Sequence, residues 1–209
     1  MRLDTPLDDV LRARSHVQVL RTLHRLPPGI TLSGREVARR SGISHPTATA
    51  ALLSLGDLGI VRVRRAHRIN SFEMNRDHVL ADDLRRLFDR EGGLRDDLVT
   101  FLRDRLERAG VPVLDAYLFG SAARGEMTVA SDVDVALICR PADVSAVEEA
   151  VFGSIADAVM RRYGARLSPI IGTRPIAALR DPGNDGHPLW ERIASEGLSL
   201  LSRSARQAL

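Results

Sequence analysis

Along the first third of the chain, apolar positions recur at three- and four-residue intervals. Leu7, Val10, Leu11, Val17, Leu20, Leu23 and Leu26 predict an amphipathic helix that stops at Pro27-Pro28-Gly29. Ser33 is placed to cap a short helix over 34–40, with Glu36 at its third position and Gly42 beyond its end. Ser44 caps the next helix, whose first turn holds Pro46, where a missing N–H costs nothing. Ala48, Ala51, Leu52 and Leu55 give that helix its apolar side until 56–59. The period then falls to two, and 60–64 and 68–74 read as a hairpin around Arg65, Ala66 and His67. Helical spacing returns over 76–91 and again over 94–109, with Gly92-Gly93 between them. Further on, 113–119 and 132–138 read as strands joined through a glycine-containing turn. A helix over 145–163, a strand over 166–171 and a closing helix and strand complete the pattern.

This order predicts an α+β protein in two domains: residues 1–75, a linking helix over 76–92, and residues 93–209. The length of 209 residues accommodates two small cores. A content of 44% hydrophobic and 27% charged residues excludes a disordered chain or a collagen-like rod. No apolar run approaches the roughly 18 residues of a membrane span. The acidic, coreless first ten residues do not read as a signal peptide, so a cytoplasmic protein without membrane contact is expected. A single cysteine, Cys139, rules out an internal disulfide and reads as a small buried hydrophobe. The six histidines are scattered without ligand spacing, which argues against a histidine metal site.

Charge is unevenly placed. Residues 1–75 hold 12 arginines against 6 acids, whereas the rest of the chain is slightly acidic. A polyanionic partner is therefore expected for the first third alone. With only 4% aromatic residues, base-stacking RNA platforms are not expected. Ser33-Gly34-Arg35-Glu36-Val37-Ala38-Arg39-Arg40-Ser41-Gly42-Ile43-Ser44, with the helix and hairpin after it, resembles the winged helix-turn-helix modules of bacterial transcription regulators. The resemblance implies binding of double-stranded DNA, with the helix after Ser44 in the major groove and the hairpin on the backbone or minor groove. His45, Thr47 and Thr49 would face bases. Arg35, Arg39, Arg40, Arg62, Arg64, Arg65 and Arg68 would hold phosphates. The helix offers no arginine for bidentate guanine contact, so phosphate anchoring should outweigh base readout. A module used for protein pairing is the alternative, and a homodimer is expected by analogy with such regulators.

The chemistry-bearing constellation lies further on. A strand ending at Phe119 runs into Gly120-Ser121-Ala122-Ala123-Arg124-Gly125-Glu126, and the next strand carries Asp132-Val133-Asp134. Residues two apart on a strand share a face about 6.5 Å apart, so both carboxylates project together. Such a pair can hold two Mg²⁺ ions for phosphoryl or nucleotidyl transfer. Gly120 lets the backbone approach a phosphate, Ser121 offers its hydroxyl and N–H, and Arg124 can neutralise triphosphate charge. Leu118 to Glu126 and Ser131 to Leu137 together resemble the polymerase-beta-like nucleotidyltransferase superfamily, and most its minimal nucleotidyltransferase branch. His187 to Ile193 and Gly197 to Leu200 resemble that branch's closing helix and strand.

The resemblance implies a nucleoside triphosphate as substrate and Asp132 and Asp134 as catalytic metal ligands. It further implies transfer to a hydroxyl acceptor, a partner protein's side chain in a toxin–antitoxin arrangement among the candidates. The family's third carboxylate should lie on the strand over 166–171, which contains no Asp or Glu. Ser168 is the residue that fills its slot, and Pro169 beside it suggests an edge strand. Loss of that base would weaken acceptor activation by about 10²–10⁴. A nucleotide-sensing regulator without catalysis is therefore the alternative reading, and a domain used only for dimerisation a third. Trp190 and Tyr163 read as core anchors, and the turn-rich Asp181–Gly186 loop as a neighbour of the closing helix.

Overall fold

The computed structural model describes residues 4–65, 69–174, 176 and 188–201. Packing divides the chain into two units, Met1–Gly92 and Gly93–Leu209.

In the first unit the expected long opening helix is two helices, α1 (Pro6–Val10) and α2 (Arg14–His24). The chain breaks because Ala13 is extended, and the buried His16 ring then meets the Val10 carbonyl at 3.2 Å through Nδ1. A two-residue strand β1 (Leu32–Ser33) leads into α3 (Gly34–Ser41), and α4 (His45–Asp57) follows. Ser33 accepts from the Glu36 N–H and Ser44 from the Thr47 N–H, so both helices start at the expected caps. Glu36 does not reach back to complete a capping box; Arg39 and Arg40 each hold it at 2.6 Å. Gly42 ends α3 at φ +66°, as a left-handed terminus requires.

Strands β2 (Val61–Arg65) and β3 (Asn70–Met74) pair antiparallel, and β1 joins the other edge in the order β1-β3-β2. Val19, Leu20, Leu23, Leu52, Leu55, Ile60 and Phe72 close the core under this sheet. The last helix, α5 (Ala81–Gly92), lies against α2. Arg21 donates twice to Glu91 at 2.6 and 2.7 Å, and His24 meets Asp89 at 2.9 Å beside Phe88.

The second unit opens with α6 (Leu94–Arg108) and builds a four-stranded mixed sheet. Its elements are β4 (Val113–Phe119), the short α7 (Gly120–Arg124), β5 (Val133–Cys139), α8 (Val144–Ala150), α9 (Ala156–Tyr163), β6 (Leu167–Gly172), α10 (Pro188–Glu196) and β7 (Leu198–Ser199). The expected single helix over 145–163 is α8 and α9 joined by one π turn, Val151–Ile155, which keeps Val151 and Ile155 buried. Strand order is β6-β5-β4-β7; β5 and β6 run parallel and the other pairs antiparallel. Pro169 therefore does lie on an edge strand, where its missing N–H disturbs no further ladder. Leu98, Leu102, Leu118, Val133, Val135, Leu137 and Cys139 pack between sheet and helices. Cys139 is fully buried there, and burial pushes its thiol pKa up. Tyr163 is half-buried against Phe101 and donates to Asp97 at 2.7 Å. Trp190 is half-buried. Among the described residues no helix is long and apolar enough to cross a membrane.

One buried acid ties the first unit's hairpin to its charge. Glu73, 6% exposed, lies opposite Arg62 in register but accepts from Arg64, at 2.9 and 3.2 Å. Removing Arg64 strands a carboxylate that the sheet has already taken from water. Arg64→Ala is expected to cost about 1–3 kcal/mol in urea unfolding, and Glu73→Gln in that background to recover most of it.

Candidate functional site

The site of the second unit begins where β4 ends. Phe119 is extended, and the next residue, Gly120, turns the chain at φ +69° into α7. Side chains strongly disfavour that conformation, and space forbids one as well. A Cβ on Gly120 would overlap the Asp134 carboxylate, with Cγ at 3.2 Å and Asp134 Cβ at 3.4 Å. Strand register brings this about, because Phe119 pairs with Asp134 across β4 and β5. Val133 and Val135 point into the core, so Asp134 must emerge on the opposite face, toward Gly120. Ala122 and Ala123, both buried, seat α7 on the sheet.

The expected residues are partly gathered. A cleft of about 250 Å³ is lined by Gly120, Ser121, Arg124 and Asp134, with Phe119, Leu189, Arg192 and Glu196. Asp132 is exposed, one residue ahead of β5, and does not line the cleft. It still acts on Asp134 through charge. Burial first, and repulsion by Asp132 second, push the Asp134 carboxyl above its ordinary value of 3.8. Ser168, in register with Asp134 across β5 and β6, offsets part of this through its hydroxyl, as does the charge of Arg124. Arg124 itself is engaged. It donates to Glu126 at 2.8 Å and lies 3.8 Å from Glu196, and these carboxylates raise its pKa.

The donor set suits a magnesium ion shared with a phosphate chain. Mg²⁺ commonly takes one or two carboxylates and completes its octahedron with water and phosphate oxygens. Asp134 is a carboxylate that its own surroundings disfavour as an anion, so a nearby cation would relieve it. Among the described residues there is no group of three or more His, Cys, Asp or Glu placed to hold a metal. Ser168, expected from the sequence to fill the slot of a third carboxylate, is in register with Asp134 across β5 and β6. Arg192 and Glu196 were missed by sequence reasoning, which had no local pattern to tie α10 to Gly120.

In the first unit, a concavity of about 430 Å³ is lined by Ser33, Gly34, Arg35, His45, Thr49, Ile69, Asn70 and Phe72. It gathers three of the expected DNA contacts: Arg35, His45 and Thr49. Thr47 lies elsewhere on the first turn of α4, its hydroxyl 2.7 Å from that of Ser44. Four of the expected phosphate contacts are paired with carboxylates: Arg39 and Arg40 with Glu36, Arg62 with Asp77, and Arg64 with Glu73. Hydrogen bonds from Arg39 and Arg40 hold the Glu36 carboxyl down to about 2. Arg35 and Arg65 have no carboxylate partner among the described residues. Arg68, His187 and the Asp181–Gly186 loop lie outside the described residues.

The Gly120 contact predicts a specific failure. Gly120→Ala is expected to cost about 1–3 kcal/mol by denaturant unfolding, from backbone strain and overlap together. In an Asp134→Ala background the same change is expected to cost less, since the overlapping group is gone. Among known families, residues 95–151 match the family model described as "Nucleotidyltransferase domain", a stretch that contains β4, α7 and β5 whole. No curated protein and no solved structure matches the chain. The part of the chain that builds the Gly120–Asp134 contact is thus similar to nucleotidyltransferase domains.

Proposed function

We propose that the second unit binds a magnesium–nucleoside triphosphate at Gly120, Ser121 and Asp134 and transfers its nucleotidyl group to a hydroxyl acceptor. One observation carries this reading: backbone at Gly120 lies bare against a half-buried carboxylate, inside the stretch similar to nucleotidyltransferase domains. Ser121, beside Gly120 on the cleft, offers a hydroxyl and an N–H to a phosphate, and Asp134 would supply a carboxylate to the metal. Bound there, Mg²⁺ would neutralise charge on the phosphate chain. The Ser121 hydroxyl and N–H would orient phosphate oxygens, and Asp132 would add a second, exposed carboxylate. In the transfer, the acceptor oxygen bonds to the α-phosphorus while its bond to the bridging oxygen breaks, and pyrophosphate leaves. With Ser168 in place of a carboxylate, the acceptor's proton goes to a base that the acceptor partner brings. A partner protein that carries a hydroxyl side chain as acceptor and a neighbouring carboxylate or imidazole as base, as in a toxin–antitoxin pair, would meet that requirement.

The first unit, in this reading, is a winged helix-turn-helix that binds double-stranded DNA. The order α2, β1, α3, α4, β2, β3 supports it, as do the basic hairpin and the concavity joining Arg35, His45 and Thr49. The pairing of Arg39, Arg40, Arg62 and Arg64 does not oppose it. The pairs of Arg39, Arg40 and Arg62 are exposed and worth only about 0–1 kcal/mol, so phosphates can displace their carboxylates, whereas Arg64 would stay on the buried Glu73.

Ser168 favours a second reading, in which nucleotide binding without transfer biases DNA affinity by linkage. Calorimetry of each ribonucleoside triphosphate, with and without Mg²⁺, tests the shared premise. Metal-dependent binding by the wild type, lost in Asp132→Asn/Asp134→Asn, is expected; no binding by the wild type would end both readings. Label transfer to co-purified protein then separates enzyme from sensor. For DNA, the affinity for a duplex is expected to fall steeply with salt. Arg35→Ala with Arg65→Ala should reduce the slope of log K on log salt by about two.

A further inference from the structure

Two guanidinium groups face the cleft beside Gly120, and they are not equivalent. Arg124 already sits between Glu126 and Glu196. Arg192 is exposed and has no carboxylate partner among the described residues. It reaches the cleft from α10, where Leu189, Arg192 and Glu196, three and four residues apart, form one stripe that lines it. Ile193, next to Arg192, is fully buried and turns the other side of the helix into the core.

Several contacts fix that helix against the site. β7 follows α10 after a single residue and pairs with β4 through Leu118 with Leu198 and Tyr117 with Ser199. The pairing therefore ends two residues before Gly120. Leu200 extends it by donating to the Ala116 carbonyl at 2.8 Å. Arg103, from α6, donates to the Ser199 and Leu200 carbonyls at 3.3 Å each. Gly197, at the joint, has no room for a side chain: a Cβ there would overlap the Ile193 carbonyl and stand 3.3 Å from Tyr117 Cβ. The joint between α10 and β7 is thus held on β4, and the Leu189–Arg192–Glu196 stripe stays over the cleft.

Charge gives that placement a use. A triphosphate chain needs more positive charge than the metal supplies, and Arg124 must first give up two carboxylates to provide it. A guanidinium with no competing partner binds phosphate oxygens through charge-assisted, often bidentate, hydrogen bonds. We infer that Arg192 on α10 binds the outer phosphates of the nucleotide in the Gly120–Asp134 cleft and makes the site selective for triphosphates over monophosphates. The inference rests on the nucleotide reading above. Glu196, on the same stripe, repels an anion that shifts away from Arg192 and holds Arg124 while the cleft is empty.

Calorimetry in Mg²⁺ tests the assignment, using each ribonucleoside triphosphate and the matching monophosphate against wild type, Arg192→Ala and Arg192→Lys. Loss of a charge-assisted bond at an exposed site should weaken triphosphate binding by about 10- to 100-fold in Arg192→Ala. Monophosphate binding should change less than about threefold, and lysine should restore part of the triphosphate affinity. Because Arg192 is exposed, thermal unfolding of both variants should match wild type. Triphosphate affinity in Arg192→Ala within about twofold of a wild type that does bind would overturn the assignment and leave the nucleotide site standing. Equal loss of mono- and triphosphate binding would overturn the assignment to the outer phosphates and the selectivity with it. A wild type that binds no nucleotide would refute the nucleotide reading itself, and the assignment with it.

Discussion

Everything proposed for the second unit depends on one close contact, the Asp134 carboxylate against the bare backbone of Gly120. Register across β4 and β5 fixes it, since Val133 and Val135 are committed to the core and Asp134 cannot turn away. The contact forces glycine at the turn and half-buries a charge beside a second acid. A fold selected for stability alone would relax such a position with a neutral side chain. Retaining the charge there makes sense where a cation and a phosphate complete it, which links the packing constraint to the chemistry.

The first unit handles charge differently. Its arginines are numerous, but Arg39, Arg40, Arg62 and Arg64 already have carboxylates at hand. One of them, Arg64, also satisfies the buried Glu73, so a single side chain serves the hairpin's stability and its basic surface. The basic excess counted along the sequence therefore overstates the unpaired charge. Among the expected DNA contacts that are described, Arg35, beside the start of α4, and Arg65, on the hairpin, keep their charge open.

Local signals in the sequence were reliable where short-range physics decides. The caps at Ser33 and Ser44 formed as expected, because a hydroxyl two or three residues ahead of orphan N–H groups needs no tertiary help. The strand–turn–strand around Gly120 and the edge position of Pro169 were legible for the same kind of reason. Long-range packing was not. Nothing near 7–26 announces the extended Ala13 that splits the opening helix, whose compensation is a buried His16 against Val10. The π turn at Val151–Ile155 hides because the apolar pattern stays in phase on both sides. Arg192 and Glu196 reach the site through β7 pairing with β4, some eighty residues away along the chain, and no periodicity encodes such a register.

The decisive measurement concerns the held charge. Thermal unfolding of wild type and Asp134→Asn should be compared from acid to neutral pH. A carboxyl whose folded pKa is raised binds its proton more tightly in the native state. Its ionisation therefore costs stability as pH climbs past the unfolded value of 3.8, and that cost persists at neutral pH. The account predicts that Asp134→Asn is the more stable protein at neutral pH, with the advantage shrinking below about pH 4. A variant equally stable, or less stable, at neutral pH would contradict it, because Asp134 would then be a satisfied structural carboxylate and not a charge kept waiting for a cation.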